Sequence, residues 1–353
     1  MSGGVDSSLA AALLKKKGLD VIGITFRMWP KEKCGSSVGR ACCNLEATTR
    51  ARAVAGDLGI PYYVVDFSED FKRHVIDYFC AEYLKGSTPN PCVVCNVKIK
   101  FGKLLEKAKE LGASQVATGH YARASRDRRS GRYLLKEGKD KSKDQSYFLF
   151  SLSQEQLKGA CFPLGDLTKD RVRRLAKSMK LRTFNTVSSQ DICFVQDLDY
   201  AEYIKNKTGV EIRPGEIVDR SGKVLGRHKG IPFYTIGQRR RLRVSHSEPL
   251  YVTGIDIGKN RIIVGSKAQT MKKSLVARDM NWIAVDDIKK PISVMARIRY
   301  NHKKAKARVT RIGKGSVRVD FNKPQAAPAP GQAVVFYKKD LVMGGGWIER
   351  SIN

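Results

Sequence analysis

Ser2-Gly3-Gly4-Val5-Asp6-Ser7-Ser8 runs directly into Leu9, Ala10, Leu13 and Leu14, which share helical spacing. Lys15–Lys17 and then Gly18 close that helix as a C-terminus should. Two adjacent glycines let backbone N–H groups approach an anion. The hydroxyls of Ser2, Ser7 and Ser8 add donors, and the helix N-terminus adds fractional positive charge. A capped helix after a Gly-Gly turn would read similarly, and neither Walker A nor G-x-G-x-x-G is present. Outward from this stretch the pattern alternates. Val21–Phe26 is a β-branched apolar run. Ala47, Ala51, Val54 and Leu58 share a helix face that stops at Gly59, and Tyr62–Val65 is the next strand. Phe101, Leu104, Leu105, Ala108 and Leu111 mark a helix ended by Gly112, followed by the strand Val116–Thr118. Thr168 caps a helix carrying Val172, Leu175, Ala176 and Met179. Strands alternating with helices predict an α/β domain built on a doubly wound parallel sheet.

Beyond about residue 200 the period changes to short strands and Gly-rich turns. Leu250–Ile255 and Arg261–Val264 flank a turn at Gly258-Lys259-Asn260. A second β segment starts near Leu275. In it Val294, Ala296 and Ile298 alternate with Met295, Arg297 and Arg299, and Ala305, Ala307 and Val309 alternate with Lys306 and Arg308. Period two puts small apolar groups on one face and cations on the other, as in a small barrel. Asn322–Gly331 is expected to be a loop between strands. The expected domains are 1–195, 196–268 and 269–353: an α/β domain, a central β-rich domain and a basic β-barrel domain. The 353 residues suit two or three domains.

Lys and Arg number 66 against 34 Asp and Glu, a formal charge of +32. A small neutral substrate needs no such field; a polyanion does. No apolar run approaches the ~20 residues of a membrane span. No signal segment precedes the first motif, so no membrane partner and a cytoplasmic location are expected. The eight cysteines are therefore expected as thiols, serving catalysis or metal binding more than a disulfide framework.

The heptad SGGVDSS resembles the pyrophosphate loop of ATP-pyrophosphatases, which cleave ATP to AMP and pyrophosphate while adenylating a substrate. In that family an apolar strand leads into the loop. Here only Met1 precedes Ser2, so the true start is expected upstream. The resemblance implies ATP contacts at Ser2, Gly3, Gly4, Val5, Asp6 and Ser7, with Mg²⁺ held partly by Asp6.

Two further segments, Ser87-Thr88-Pro89-Asn90-Pro91-Cys92-Val93-Val94-Cys95-Asn96 and Ser188-Ser189-Gln190-Asp191-Ile192-Cys193-Phe194, resemble the tRNA-specific 2-thiouridylase family. So do Ala117-Thr118-Gly119-His120-Tyr121, Lys143-Asp144-Gln145-Ser146-Tyr147-Phe148-Leu149, Gly237-Gln238-Arg239, Arg299-Tyr300 and Gly344-Gly345-Gly346, and the likeness spans essentially the whole chain. It implies ATP-dependent 2-thiolation of the wobble uridine of tRNA. Adenylation makes the C2 oxygen a good leaving group, and a sulfur nucleophile then attacks C2. By the resemblance Cys193 carries the persulfide and Cys95 is the nucleophilic partner; Gly119 and Phe26 lie against ATP. Asn90, Pro91 and Cys92 meet the target base, while Lys143, Asp144, Gln145, Arg299 and Tyr300 meet tRNA. The implied partners are Lys, Glu and Gln tRNAs and a cysteine desulfurase or its relay.

Read on their own chemistry, the cysteines leave several roles open. Cys95, expected beside a helix N-terminus, would have its thiolate favoured by the dipole. Cys92 makes C-x-x-C with Cys95 where many relatives carry Asp. With Cys193 this offers three thiolates for a [4Fe–4S] cluster with one open iron; a zinc half-site and a redox dithiol compete. Cys34, Cys42 and Cys43 have no assigned role, and Cys80 and Cys161 are expected in the core. His120 is weighed as a phosphate contact or a structural residue. Two other functions compete with thiolation: adenylation of a small substrate, and RNA binding without catalysis.

Overall fold

The structure, a computed structural model, describes residues 1–28, 45–186, 192–195 and 200–352. Cys34, Cys42, Cys43 and Ser188–Asp191 lie outside the described residues. The chain divides into two compact units. One comprises Met1–Val75, Cys92–Asp197 and Asp340–Val342; the other comprises Ile76–Pro91, Leu198–Lys339 and Met343–Asn353.

In the first unit helix α1 (Val5–Lys16) follows Gly4, whose extended backbone caps it without a side-chain bond. Lys15 and Lys16 sit in the last turn, where cations oppose the exposed carbonyls. Gly18 then takes φ +76°, closing the helix. Strand β1 (Gly23–Arg27), helix α2 (Leu45–Asp57) and strand β2 (Tyr62–Asp66) follow. β1 and β2 pair in parallel, from Gly23 with Tyr62 to Arg27 with Asp66. A helical run opens with α3 (Pro91–Cys95) and reaches Glu110. Beyond it lie β3 (Val116–Ala117), the antiparallel hairpin β4 (Ala122–Arg126) and β5 (Tyr133–Glu137), and β6 (Ala160–Cys161), which pairs in parallel with β3. Helix α4 (Lys169–Ser178) is capped by Thr168, whose hydroxyl accepts from the Arg171 amide.

Leu9 and Ala10 of α1, Val54 of α2, Tyr121, and Val172 and Ala176 of α4 form one core cluster. Leu9 is fully buried and contributes about 1.5–3 kcal/mol of transfer free energy. This packing holds the start of α1 against α4. The main chain of Met1 bonds to β1: its amine donates to the Ile24 carbonyl, and its carbonyl accepts from Thr25 Oγ1 at 2.5 Å.

The second unit holds two sheets. β7 (Gly215–Val218), β8 (Val224–His228), β9 (Tyr251–Asp256) and β10 (Arg261–Gly265) are ordered β8-β7-β10-β9 around Ile217, Val252, Ile262 and Val264. Next come β11 (Met271–Trp282), β12 (Ile292–Arg297), β13 (Ala305–Gly313), β14 (Ser316–Ala326), β15 (Ala333–Lys338) and β16 (Leu341–Ile352). Their order is β11-β14-β13-β12-β15-β16, and β16 pairs back to β11. These six strands thus close into a barrel. The expected alternation holds: Val294, Ala296, Ala307 and Val309 are buried, whereas Lys306 and Arg308 are exposed. One expectation changes. The stretch read as a loop from Asn322 is strand as far as Ala326, because β14 continues to pair with Met271 and Lys272 of β11. Proline is tolerated there, at Pro324, close to a register shift between Lys272 and Ser274. No helix among the described residues is long and apolar enough to cross a membrane.

Candidate active site

Gly3 takes φ +69° and turns the chain into α1. The turn is braced internally: the Ser2 amide donates to Ser7 Oγ at 3.0 Å, and Ser7 Oγ donates to the Gly4 carbonyl at 3.2 Å. The Val5 amide donates to Thr186 Oγ1 at 3.1 Å, and the Val5 side chain is core. Ser8, expected as a donor to the loop, is fully buried instead. Glycine is required on both flanks. A Cβ on Gly3 would stand 2.3 Å from the Ala47 carbonyl oxygen, and one on Gly119 would stand 2.8 Å from the Asp6 backbone. Gly119 therefore seats β3's end directly on the turn.

Asp6 lies in the first turn of α1 and is tied on two sides. Lys169 Nζ donates to both carboxylate oxygens at 2.7 Å, and the Tyr121 hydroxyl donates to Oδ1 at 2.7 Å. The ammonium also sits 5.7 Å from the Tyr121 ring centroid. Burial, and then the Asp6 charge, push the Tyr121 phenol far above its usual range, so it is a donor at any ordinary pH.

His120 is buried between Phe101 and Phe162, with Nδ1 2.8 Å from Thr118 Oγ1. Burial, reinforced by Lys100, lowers its pKa well below 6.5. It is a neutral ring at pH 7 and brings no charge to a phosphate. The unfolded chain binds this proton near pH 6.5 and the folded chain does not, so stability is full above that value and falls as pH drops below it. Denaturant midpoints measured from pH 7.5 to 5 should decline, and His120→Gln should flatten part of that slope. Phe26, near the end of β1, packs on Phe67 with ring centroids 6.3 Å apart.

Cys92, Cys95 and Cys193 are thiols in the first unit. Cys92 is exposed and Cys95 is 8% exposed. Cys95 does not stand at a helix N-terminus as expected. It ends α3, and the chain continues helically into Asn96–Lys103, so the positive helix end falls at Pro91 and Cys92. Cys193 is half-buried, and its neighbour Phe194 meets Phe71 edge-on at 5.8 Å. Cys80 is core; Cys161 is only partly buried.

In the loop Gly138–Ser146 the three expected residues point to different tasks. Lys143 is exposed. Asp144 is 2% exposed and accepts from the Gly138 and Ser146 amides and from Ser146 Oγ. Gln145 pairs with Tyr121 through both its side-chain oxygen and its amide. In the second unit Asn90 is buried, and the turn before it is pinned from a distant segment. Gln332 Nε2 donates to the Thr88 and Pro89 carbonyls at 3.0 and 3.2 Å. Arg299 donates to the Ile236 and Ala327 carbonyls, and the Arg297 guanidinium lies 5.1 Å from the Tyr300 ring centroid.

Residues 1–197 match the family described as the tRNA methyl transferase HUP domain. Residues 201–266 match the tRNA methyl transferase PRC-barrel domain, and 272–348 the aminomethyltransferase beta-barrel domain. The tRNA-specific 2-thiouridylase MnmA 2 of Thermoanaerobacter sp. (strain X514) is 51% identical over 100% of this chain and 97% of its own length. The chain belongs to the tRNA-specific 2-thiouridylase family. The MnmA enzymes of Clostridioides difficile (strain 630) and Moorella thermoacetica (strain ATCC 39073 / JCM 9320) are 47% and 49% identical. They align over 100% and 99% of this chain and 97% and 98% of their own. Among solved structures, the U34-tRNA thiolase NcsA from Methanococcus maripaludis with its [4Fe–4S] cluster aligns at 19% identity and a TM-score of 0.35. That alignment covers 59% of this chain and 62% of the other.

In this thiouridylase-family chain both Asp6 carboxylate oxygens face the Lys169 ammonium. Cys92, Cys95 and Cys193 do not meet as a three-thiolate set: among the described residues no three His, Cys, Asp or Glu side chains form a group able to hold a metal ion. Cys92 faces solvent while Cys95 is buried at the other end of the same short helix. Among the described residues the three thiols thus form no ready-made group of three metal ligands.

Sequence reasoning also missed Lys169, Thr186 and Gln332 as partners of the motif residues. For Lys169 a signal existed: a lysine at the first position of a helix opposes the dipole and calls for a compensating anion.

Proposed function

We propose that this chain converts the wobble uridine of tRNA to 2-thiouridine at the expense of ATP, releasing AMP and pyrophosphate. The observation that carries the reading is the family likeness, which covers 100% of this chain. The turn Ser2–Ser7 and the start of α1 receive the polyphosphate, with Gly119 behind the turn and Phe26 on the adenine side. Backbone amides and a helix end suit that charge. Any Mg²⁺ arrives as part of the nucleotide, and no step is assigned to it.

The uridine C2 oxygen attacks the α-phosphorus, and pyrophosphate leaves. The terminal sulfur of a Cys193 persulfide then attacks C2, and AMP departs with the former C2 oxygen. The Cys95 thiolate attacks the Cys193 sulfur, so the C2 sulfur leaves as the thione and a Cys95–Cys193 disulfide forms. A dithiol reductant returns both thiols, and a cysteine desulfurase or its relay reloads Cys193. We place the reaction in the cytoplasm, where such thiols stay reduced.

The wobble base must leave its stack to reach this chemistry. Asn90, Pro91 and Cys92 meet it. Lys143, Arg299 and Tyr300 contact the rest of the tRNA, of the Lys, Glu and Gln type. Asp144 and Gln145 act by shaping the loop that presents Lys143. With a net charge of +32, tRNA affinity should fall at least about tenfold between 50 and 200 mM salt. Filter binding across that range checks it, and a flat response contradicts it.

The decisive assay combines the protein with ATP, a cysteine desulfurase and its cysteine, a dithiol reductant and unmodified tRNA, and reads nucleosides by mass spectrometry. Thiouridine at the wobble position, with AMP formed one for one, is the expected result. ATP consumed on another acceptor without thiouridine would overturn the proposal.

A further inference from the structure

The Asp6–Lys169–Tyr121 cluster poses an electrostatic problem. A carboxylate in the first turn of α1 occupies the same positive helix end that favours a phosphate at the turn. Asp6 is not sealed away: its side chain is 31% exposed, against 9% for Lys169. An uncompensated charge there would repel a triphosphate at short range, where screening by water is weakest.

Lys169 is built to prevent this. Its ammonium spans both Asp6 oxygens at 2.7 Å, and its stem is buried. Its backbone is fixed as well, since the Lys169 amide donates to Asp140 Oδ2 at 2.9 Å. Tyr121 supports it twice, with a hydroxyl on Asp6 Oδ1 and a ring face toward the ammonium. All four residues lie in the first unit.

We infer that Lys169 is a positioning residue of the nucleotide site: it neutralises Asp6 and holds it against α1, so that the turn accepts polyphosphate. The inference rests on the ATP-using reading above. Lys169 acts through Asp6, which yields a prediction that a merely structural lysine would not. Removing both charges together should undo most of the harm of removing the lysine alone.

The test measures ATP affinity by calorimetry, and KM and kcat for ATP in thiolation, on the full chain. Lys169→Met should raise the ATP Kd and KM at least about tenfold, with a smaller loss of kcat at saturating ATP. Lys169→Arg, which keeps the charge, should recover most of the affinity. In the cycle, Asp6→Asn/Lys169→Met should bind ATP within about threefold of Asp6→Asn alone. That comparison stands even if Lys169→Met fails to fold, because the double variant buries no unpaired charge. Unchanged ATP affinity in Lys169→Met would overturn the inference. So would a double variant far weaker than Asp6→Asn, since Lys169 would then act independently of Asp6. A wild-type chain that binds no ATP would overturn the ATP-using reading, and this inference with it.

Discussion

Cys193→Ser and Cys95→Ser should each lower thiouridine formation by at least about a thousandfold while leaving ATP affinity within about twofold of wild type. Serine is nearly isosteric with cysteine, but its hydroxyl cannot carry a persulfide and is a poor leaving group in sulfur exchange. Packing should survive both changes. Cys95 sits inside a continuous helical run, and Cys193 is half-buried beside Phe194, which is anchored on Phe71. The two variants should differ in what accumulates. Cys193→Ser should hold no labile sulfur, whereas Cys95→Ser should load sulfur on Cys193 and fail to release product. Loading from radiolabelled cysteine through a cysteine desulfurase, followed by non-reducing electrophoresis, separates these outcomes. Cys92→Ser, at an exposed position, should retain more activity than either. Wild-type turnover in Cys95→Ser would remove Cys95 from the mechanism.

Gly3→Ala is expected to be the most damaging single methyl group in the nucleotide loop. Its φ of +69° carries a penalty of about 1–2 kcal/mol for any residue with a Cβ. In addition the Cβ would stand 2.3 Å from the Ala47 carbonyl oxygen and 2.9 Å from its Cα, both backbone atoms of α2 that cannot swing aside. The turn must therefore move, and the Ser2–Ser7 bond that braces it goes with it. ATP affinity should drop more than about tenfold, with a stability loss of about 2–4 kcal/mol. Gly18→Ala is the matched control. It has φ +76° but nothing within 4 Å of a Cβ, so it carries the strain without the collision. It should cost about 1 kcal/mol and leave ATP affinity unchanged. Equal effects of the two substitutions on ATP affinity would show that the contact with Ala47 is irrelevant.

The glycine pair and the cysteine motifs were readable because each is a local statement. Gly3 and Gly4 announce a turn before a helix whatever surrounds them, and Lys15–Lys17 followed by Gly18 announce where it stops. The alternation of Val294 and Ala296 with arginine is likewise a property of neighbours two residues apart, and the barrel's inner face follows from it. The same locality explains what was misread. Pro324 and the small residues after it look like a loop, yet β14 runs through to Ala326 because β11 offers it partners 53 and 55 positions away, Lys272 for Gln325 and Met271 for Ala326. Cys95 looks like the start of a helix until α3 is seen to run on past it.

By itself, the sequence determined the order of elements, the glycine turn before α1, the basic β region and the family. These depend on backbone preference, periodicity and residue type, which act over a few positions. Only the tertiary structure decided what the motif residues touch. Lys169 reaches Asp6 across 163 positions, Thr186 reaches the Val5 amide across 181, and Gln332 reaches Thr88 across 244. No local propensity encodes such pairs, because their energies exist only once burial has removed water from both partners. It also decided that Asp144 and His120 turn inward, and that among the described residues the three motif thiols form no group of three metal ligands. Charge and ligand chemistry are set by exposure and distance, which only the folded chain defines.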